Sequence, residues 1–241
     1  MAFSPMVMGY DRALTIFSPD GKLYQVEYAF QAVRQGWSTL GIKVAEGVVL
    51  AAEKALFKEL VEVRELEKVM PLDSHIGITF AGFGSDGRVL IDYARVLAVR
   101  HRLLYGEPIP VEFLTKSISD IKQAYTQHGG VRPFGVSLLI AGVDATGPHL
   151  FKTDPAGQYF SYKATAIGRG EQKIEEIIEK KYREDLPLEE AVLLAVEALR
   201  SSSSEELKPR NIDIGVVPCS TKQFRKLAEK EIENLMAKLK K

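Results

Sequence analysis

Six consecutive residues, Gly82-Phe83-Gly84-Ser85-Asp86-Gly87, have the spacing G-x-G-x-x-G, follow a run that reads as a strand and open one that reads as a helix. In a parallel βαβ unit that order of residues holds a pyrophosphate at a helix N-terminus. Such a unit also needs a second parallel strand ending in an acidic residue about 20 positions further on. Here the helix runs on to Leu104, Glu107 sits beside Pro108, and another helix follows. A tight strand-to-helix turn is therefore the better account, and dinucleotide binding the alternative. Lys68, in Glu67-Lys68-Val69, reads on its own as an exposed lysine at a strand end. His75, His101 and His149 are separated without ligand spacing, so neither a metal nor a cofactor is expected. The run Ser201 to Ser204 has no histidine or acid spaced to activate it and reads as a linker. Lys238, Lys240 and Lys241 complement the dipole of a terminal helix.

The chain has 241 residues, with Lys+Arg 32 balanced by Asp+Glu 32. That length supports one sizeable core. The charge balance gives no basic excess to condense on a phosphate backbone or an anionic lipid surface, which argues against nucleic acid and membrane as partners. The single Cys219 excludes an internal disulfide framework and fits a reducing interior. Met1 to Met8 is apolar without a basic leader and is interrupted by Pro5, and no apolar run reaches membrane-spanning length. The expectation is a cytoplasmic protein.

Elements follow from spacing. Val26, Ala29, Phe30 and Val33 recur at helical intervals after the turn Ser18-Pro19-Asp20-Gly21, and Gly36 stops that helix. Leu40 to Val44 and Val48 to Ala52 form a hairpin at Glu46-Gly47, while Leu56 to Glu67 has no clean period. Val69 to Leu72 and Ile76 to Phe80 form another pair. A helix from Arg88 to Leu104 has Val89, Tyr93, Val96 and Leu97 on one face, and a second carries Leu114, Ile118, Ile121 and Tyr125. Strands follow at Val136 to Val143, Leu150 to Thr153 and Tyr159 to Ala166. Next come a helix marked by Ile174, Ile177, Ile178 and Tyr182 and an almost wholly apolar one from Leu188 to Leu199. Last are a strand Ile212 to Val217 and a helix with Phe224, Leu227, Ala228, Ile232, Leu235 and Leu239 on one stripe. Strands in runs and helices in pairs predict an α+β fold with two packed sheets and helices outside.

Two stretches do more than punctuate this order. Gly9-Tyr10-Asp11-Arg12-Ala13-Leu14-Thr15-Ile16-Phe17-Ser18-Pro19-Asp20-Gly21-Lys22-Leu23-Tyr24-Gln25-Val26-Glu27-Tyr28-Ala29 places an apolar tail, a turn and a helix start in succession. Tyr125-Thr126-Gln127-His128-Gly129-Gly130-Val131-Arg132-Pro133-Phe134-Gly135-Val136 joins a helix end to a strand. Both resemble the diagnostic stretches of α-type subunits of the 20S proteasome, archaeal in character, and the element order resembles that family's four-layer α/β/β/α sandwich over essentially the whole chain. The resemblance implies one unit over residues 1–241, with a gating tail at 1–12, a helix at 23–35 and the sandwich at 36–241.

What the family does gives the residues expected roles. Its catalytic β chains begin at a free threonine that attacks the peptide carbonyl. Matching Leu40-Gly41-Ile42 to that strand puts Trp37, Ser38 and Thr39 where the β chain begins, Glu53 where the β site keeps an aspartate, and tryptophan after Gly36 where processing needs threonine. The expectation is a chain without catalytic residues. An active N-terminal-nucleophile hydrolase starting at Thr39 is the alternative. The resemblance further implies heptameric rings that template β rings, admit unfolded proteins and dock a regulatory ATPase or other activator through C-termini ending hydrophobic-tyrosine-any. Lys68 would accept the terminal carboxylate, with Glu27, Gly36 and Phe83 completing the pocket, although leucine is the common counterpart of Phe83. Tyr10, Asp11, Arg12, Pro19 and Tyr28 match the gating region, where tyrosine can stack on proline and donate to a carboxylate. His128, Gly129 and Gly130 would line the pore entrance, where relatives commonly carry tyrosine for His128. A histidine there also reads as a helix-end cap bonded to a last-turn carbonyl.

Overall fold

The computed structural model describes residues 16–54, 67–203 and 207–239. Tyr10, Asp11 and Arg12, the whole stretch from Leu56 to Leu66, Ser204 and Lys240-Lys241 lie outside them. The turn at Ser18-Pro19-Asp20-Gly21 closes through Gly21 N–H to Ser18 O at 2.8 Å, with Gly21 at φ +73°. Helix α1 (Tyr24–Gln35) follows, then strands β1 (Thr39–Val44), β2 (Gly47–Glu53), β3 (Val69–Asp73) and β4 (Ile76–Gly82). Helices α2 (Gly84–Tyr105) and α3 (Val111–Ala124) lead to β5 (Val136–Asp144), β6 (Gly147–Thr153), β7 (Tyr159–Ser161) and β8 (Ala164–Ile167). The chain continues through α4 (Glu171–Lys181), α5 (Leu188–Ser202), β9 (Ile212–Pro218), β10 (Arg225–Lys226) and α6 (Glu229–Lys238).

These strands form two antiparallel sheets, ordered β10-β9-β2-β1-β8 and β3-β4-β5-β6-β7. Period-two alternation explains why β2 and β5 read as continuous apolar runs: each is buried on both faces. Val48, Leu50 and Ala52 of β2 meet Leu139, Ala141 and Val143 of β5 between the sheets. The intervening Val49 and Ala51 pack under Ile174, Val192, Leu199 and Leu235 of α4, α5 and α6. On the other side Leu138 and Ile140 pack under Leu90, Ile91, Leu114 and Ile118 of α2 and α3. The result is the four-layer α/β/β/α sandwich expected from the element order.

Local expectations fail in four places, each for a packing reason. Tyr159 to Ala166 is two strands: β7 pairs with β6 in one sheet, and β8 pairs with β1 in the other. The switch falls at Tyr162-Lys163, where Tyr162 N–H donates to Leu150 O and Lys43 N–H to Lys163 O. The terminal helix begins at Glu229, after Phe224 has been drawn between the sheets against Gly77 and Gly215 and Arg225-Lys226 has paired with β9. Gly36 ends α1 with extended backbone (φ −67°) rather than a left-handed cap. Its lack of a side chain matters because a Cβ there would run into Gly82 N. Val89, Tyr93 and Val96 of α2 do share a side, but it faces outward at 50, 40 and 67% exposure, while Leu90, Ile91, Ala94 and Ala98 face the sheet.

One buried cation stands apart from the apolar packing. Lys122 of α3 is fully buried, donating to Thr153 O at 3.3 Å and to Thr153 Oγ1 at 3.4 Å, and burial pushes its ammonium down to about 7 against the weaker pull of Asp154.

Candidate functional site

The N-terminal-nucleophile position is filled and tied into the sheet. Thr39, first residue of β1, pairs with both Ala52 and Ile167, is fully buried, and donates from Oγ1 to Ala51 O at 2.9 Å, with Thr79 Oγ1 at 2.8 Å. Its nitrogen is the amide following Ser38, whose own carbonyl accepts Glu53 N–H at 2.9 Å. Next to it the Trp37 indole lies under the Arg169 guanidinium at 3.9 Å, and Arg169 bonds Glu53 Oε1 at 2.5 Å. Arg169 N–H and Gly170 N–H donate to Gly36 O and Ser38 Oγ, so the start of α4 is fastened to the same segment. Attack on a carbonyl needs an exposed hydroxyl with a base beside it. Thr39 has neither a free amine nor access.

Along the C-terminal half of β4 the structure sets Lys68 against Phe80 and Gly36 against Gly82, with Phe83 just beyond the strand end. Asp213 of β9, 3% exposed, accepts Lys68 N–H at 2.8 Å and holds Lys54 and Lys226 at 2.9 and 3.1 Å, which fixes where β3 starts. Burial works to raise the Asp213 carboxyl, yet the Lys68 N–H and the two ammonium groups hold it below the usual carboxylate range. From this anchored backbone the Lys68 side chain, half-buried rather than exposed, donates to Phe80 O at 3.1 Å and lies 3.9 Å from the centre of the Phe80 ring. Burial pushes its ammonium down to about 8, against the pull of Asp213 and then Glu53. A cation bonded to one carbonyl has donors left for an incoming carboxylate. Gly36 abuts Gly82, and Phe83, the next residue, is half exposed. Glu27 is exposed in the first turn of α1.

Phe83 continues into a second knot. Its N–H donates to Gly135 O at 2.9 Å, and the Arg132 guanidinium lies 5.7 Å from its ring centre. Asp86, one turn into α2 and 7% exposed, takes Arg132 on both oxygens at 2.8 and 2.6 Å and Gly135 N–H at 2.9 Å. Although burial opposes it, these bonds hold the Asp86 carboxyl below its usual range. The same residues dispose of the dinucleotide alternative. Strand β4 is antiparallel to both neighbours, Gly82 (φ +113°) presses on Gly135 O, and Gly87 faces the Phe80 ring, so protein occupies the turn.

His128 follows the end of α3 and places Nδ1 2.8 Å from Ala124 O, the helix-end geometry. Gly129 and Gly130 form an exposed turn after it. Pro19 and Tyr28 are both exposed, and Tyr28 stacks on Tyr24 at 6.5 Å. Among the described residues no group of three or more His, Cys, Asp or Glu is placed to hold a metal ion, and no helix is long and apolar enough to cross a membrane. Sequence spacing gave no role to Asp213, Asp86 or Arg132. The legible hint for Asp213 is an acid inside the apolar run Ile212 to Val217, a position that calls for a buried partner.

A four-layer sandwich with its first core strand led in by a helix defines a class, and comparison with known proteins agrees: the chain belongs to the proteasome subunit family, whose model matches residues 33–217. The N-terminal signature of the A-type proteasome subunits matches residues 10–32. Relatives named as proteasome alpha subunits, from Saccharolobus islandicus, Saccharolobus solfataricus and Sulfurisphaera tokodaii, are 52, 53 and 53% identical, each comparison covering 99% of this chain and 100% of the relative. The chain is thus of the α type and is a non-catalytic subunit, in keeping with the peptide-bound Thr39.

Proposed function

We propose that this chain forms the outer heptameric ring of an archaeal proteasome core particle in the cytoplasm, templates the catalytic β rings, gates the passage of unfolded proteins and docks a regulatory ATPase or other activator. The observation that carries the docking role is the Lys68 cation held at Phe80 O of a strand whose end abuts Gly36 and leads into the half-exposed Phe83, a charge and an apolar side chain suited to a C-terminus ending hydrophobic-tyrosine-any. Glu27 completes that pocket across the subunit boundary. Ring formation accounts for the outward Val96, Val99, Leu103 and Leu104 of α2, an apolar face flanked by Arg95 and Arg100 that a neighbouring subunit would cover.

In this reading residues 1–241 act as one unit. Residues 1–12 are the gating tail, and Tyr10, Asp11, Arg12, Pro19 and Tyr28 serve the gate. Helix 23–35 carries the tail, and 36–241 is the supporting sandwich. His128, Gly129 and Gly130 line the pore entrance. Deleting residues 2–12 should raise degradation of an unfolded protein by the assembled particle severalfold while changing hydrolysis of a small fluorogenic peptide much less, because the tail obstructs passage and takes no part in the chemistry. Equal protein degradation rates with and without the tail would refute the gating role.

A further inference from the structure

The pocket wall and the pore-entrance loop are joined by a rigid bridge. Phe83 is bound to Gly135 through its backbone, and its ring lies so close that a Cβ on Gly135 would sit 2.6 Å from a ring carbon. Nothing between them can compress, so a displacement of the ring toward Gly135 must move the backbone there. One helical turn further on, Asp86 grips Arg132 with two bonds and Gly135 with a third, fastening both ends of the segment 132–135 to the first turn of α2. Arg132 leans back over Phe83, closing the circuit. By contrast, no atom of the described residues lies within 4 Å of where a Cβ on Gly129 or Gly130 would stand. The fastened segment therefore leads into a turn with open space around it.

We propose that the Asp86–Arg132 pair is the positioning device that transmits occupancy of the Lys68–Phe83 pocket to the His128-Gly129-Gly130 turn. A tail side chain pressing on Phe83 shifts residues 83–87 and 132–135 as one body, and the displacement is taken up at the glycine turn. Arg132 and Asp86 act through Phe83 and the loop, and the pocket cation is Lys68. This inference rests on the docking role proposed above.

The test separates binding from its consequence, using particles assembled with a β partner and a synthetic peptide ending hydrophobic-tyrosine-any. Arg132→Gln removes the bidentate pair, Asp86→Asn keeps an acceptor for Gly135 N–H, and Lys68→Ala serves as reference. Peptide Kd is measured by fluorescence anisotropy, and stimulation of unfolded-protein degradation is measured at saturating peptide. Expected for Arg132→Gln and Asp86→Asn are assembled particles, basal hydrolysis as in the parent, Kd within about threefold of the parent, and stimulation reduced at least fivefold. Arg132→Lys, which keeps one charge-assisted bond, should recover part of the stimulation. Full stimulation by both variants, with Lys68→Ala having lost binding, overturns the bridge and leaves the pocket standing. A tenfold loss of affinity in Arg132→Gln also overturns it, since Arg132 would then belong to the pocket. Unchanged binding by Lys68→Ala overturns the pocket, and the bridge with it. Failure of both variants to assemble would mean the pair only supports the fold and would likewise overturn the proposal.

Discussion

Replacing Lys68 by alanine should abolish measurable docking of activator tails while leaving ring assembly and basal peptide hydrolysis intact. The substitution removes the cation bonded to Phe80 O, and the strand itself stays fastened by the backbone N–H of residue 68 to Asp213, which alanine retains. Removing one partner of a buried charge-assisted pair costs about 2–5 kcal/mol, and each ~1.4 kcal/mol is tenfold, so affinity should fall at least thirtyfold. The ammonium pushed down to about 8 adds a pH signature. Only the protonated form attracts a carboxylate. Above pH 8 the unoccupied pocket has lost that proton and must take it up again on binding. Affinity should be flat below about pH 7.5 and fall toward tenfold per unit above pH 8, a slope absent from Lys68→Ala. Isothermal titration in two buffers of different ionisation enthalpy would read the proton uptake directly. Tight, pH-independent binding to the alanine variant would show that Lys68 is not the carboxylate site.

Lys122→Met should raise stability, most of all below pH 7. Among the described residues no carboxylate bonds this buried lysine, and its folded pKa of about 7 lies below the 10.5 of an unperturbed lysine. Between those values the unfolded chain holds a proton that the folded chain has shed, so stability rises with pH across that interval. Below pH 7 both states are protonated and the full cost of burying the charge is present. One pKa unit is about 1.4 kcal/mol, from which the bonds lost at Thr153 must be subtracted, so a gain on the order of 2 kcal/mol is expected at pH 6. Thermal unfolding of the isolated chain at pH 6 and pH 9 should show the gain shrinking at the higher pH. A variant less stable than the parent at pH 6 would mean that the ammonium bonds at Thr153 outweigh its desolvation.

How much of this was visible in the sequence depends on the range of the interactions involved. The β1–β2 hairpin and the turn at 18–21 follow from local chemistry, because strand-forming runs and turn residues act within a few positions. The split of Tyr159 to Ala166 did not show, because which sheet a strand joins is decided by partners more than a hundred residues away, as in the pairing of Ile42 with Ala164. The outward apolar side of α2 misled for a related reason. Val89, Tyr93 and Val96 have helical spacing, but spacing alone does not say which of two apolar sides of a helix meets the sheet. At the site, Lys68, Gly36 and Phe83 were reached through family likeness, and each lies along or just beyond β4, Lys68 at Phe80, Gly36 at Gly82 and Phe83 after the strand end. Asp213 and the Asp86–Arg132 pair are contacts across 145 and 46 positions, which no local spacing encodes.

The central claim is that this chain is the non-catalytic, ring-forming partner of a threonine protease. The most direct measurement is intact-mass spectrometry of the particle assembled with archaeal β subunits and treated with a threonine-directed covalent inhibitor. The account expects the inhibitor's mass only on the β chains, with this chain unlabelled and uncleaved between Ser38 and Thr39. An adduct on this chain, or a form of it beginning at Thr39, would contradict the account.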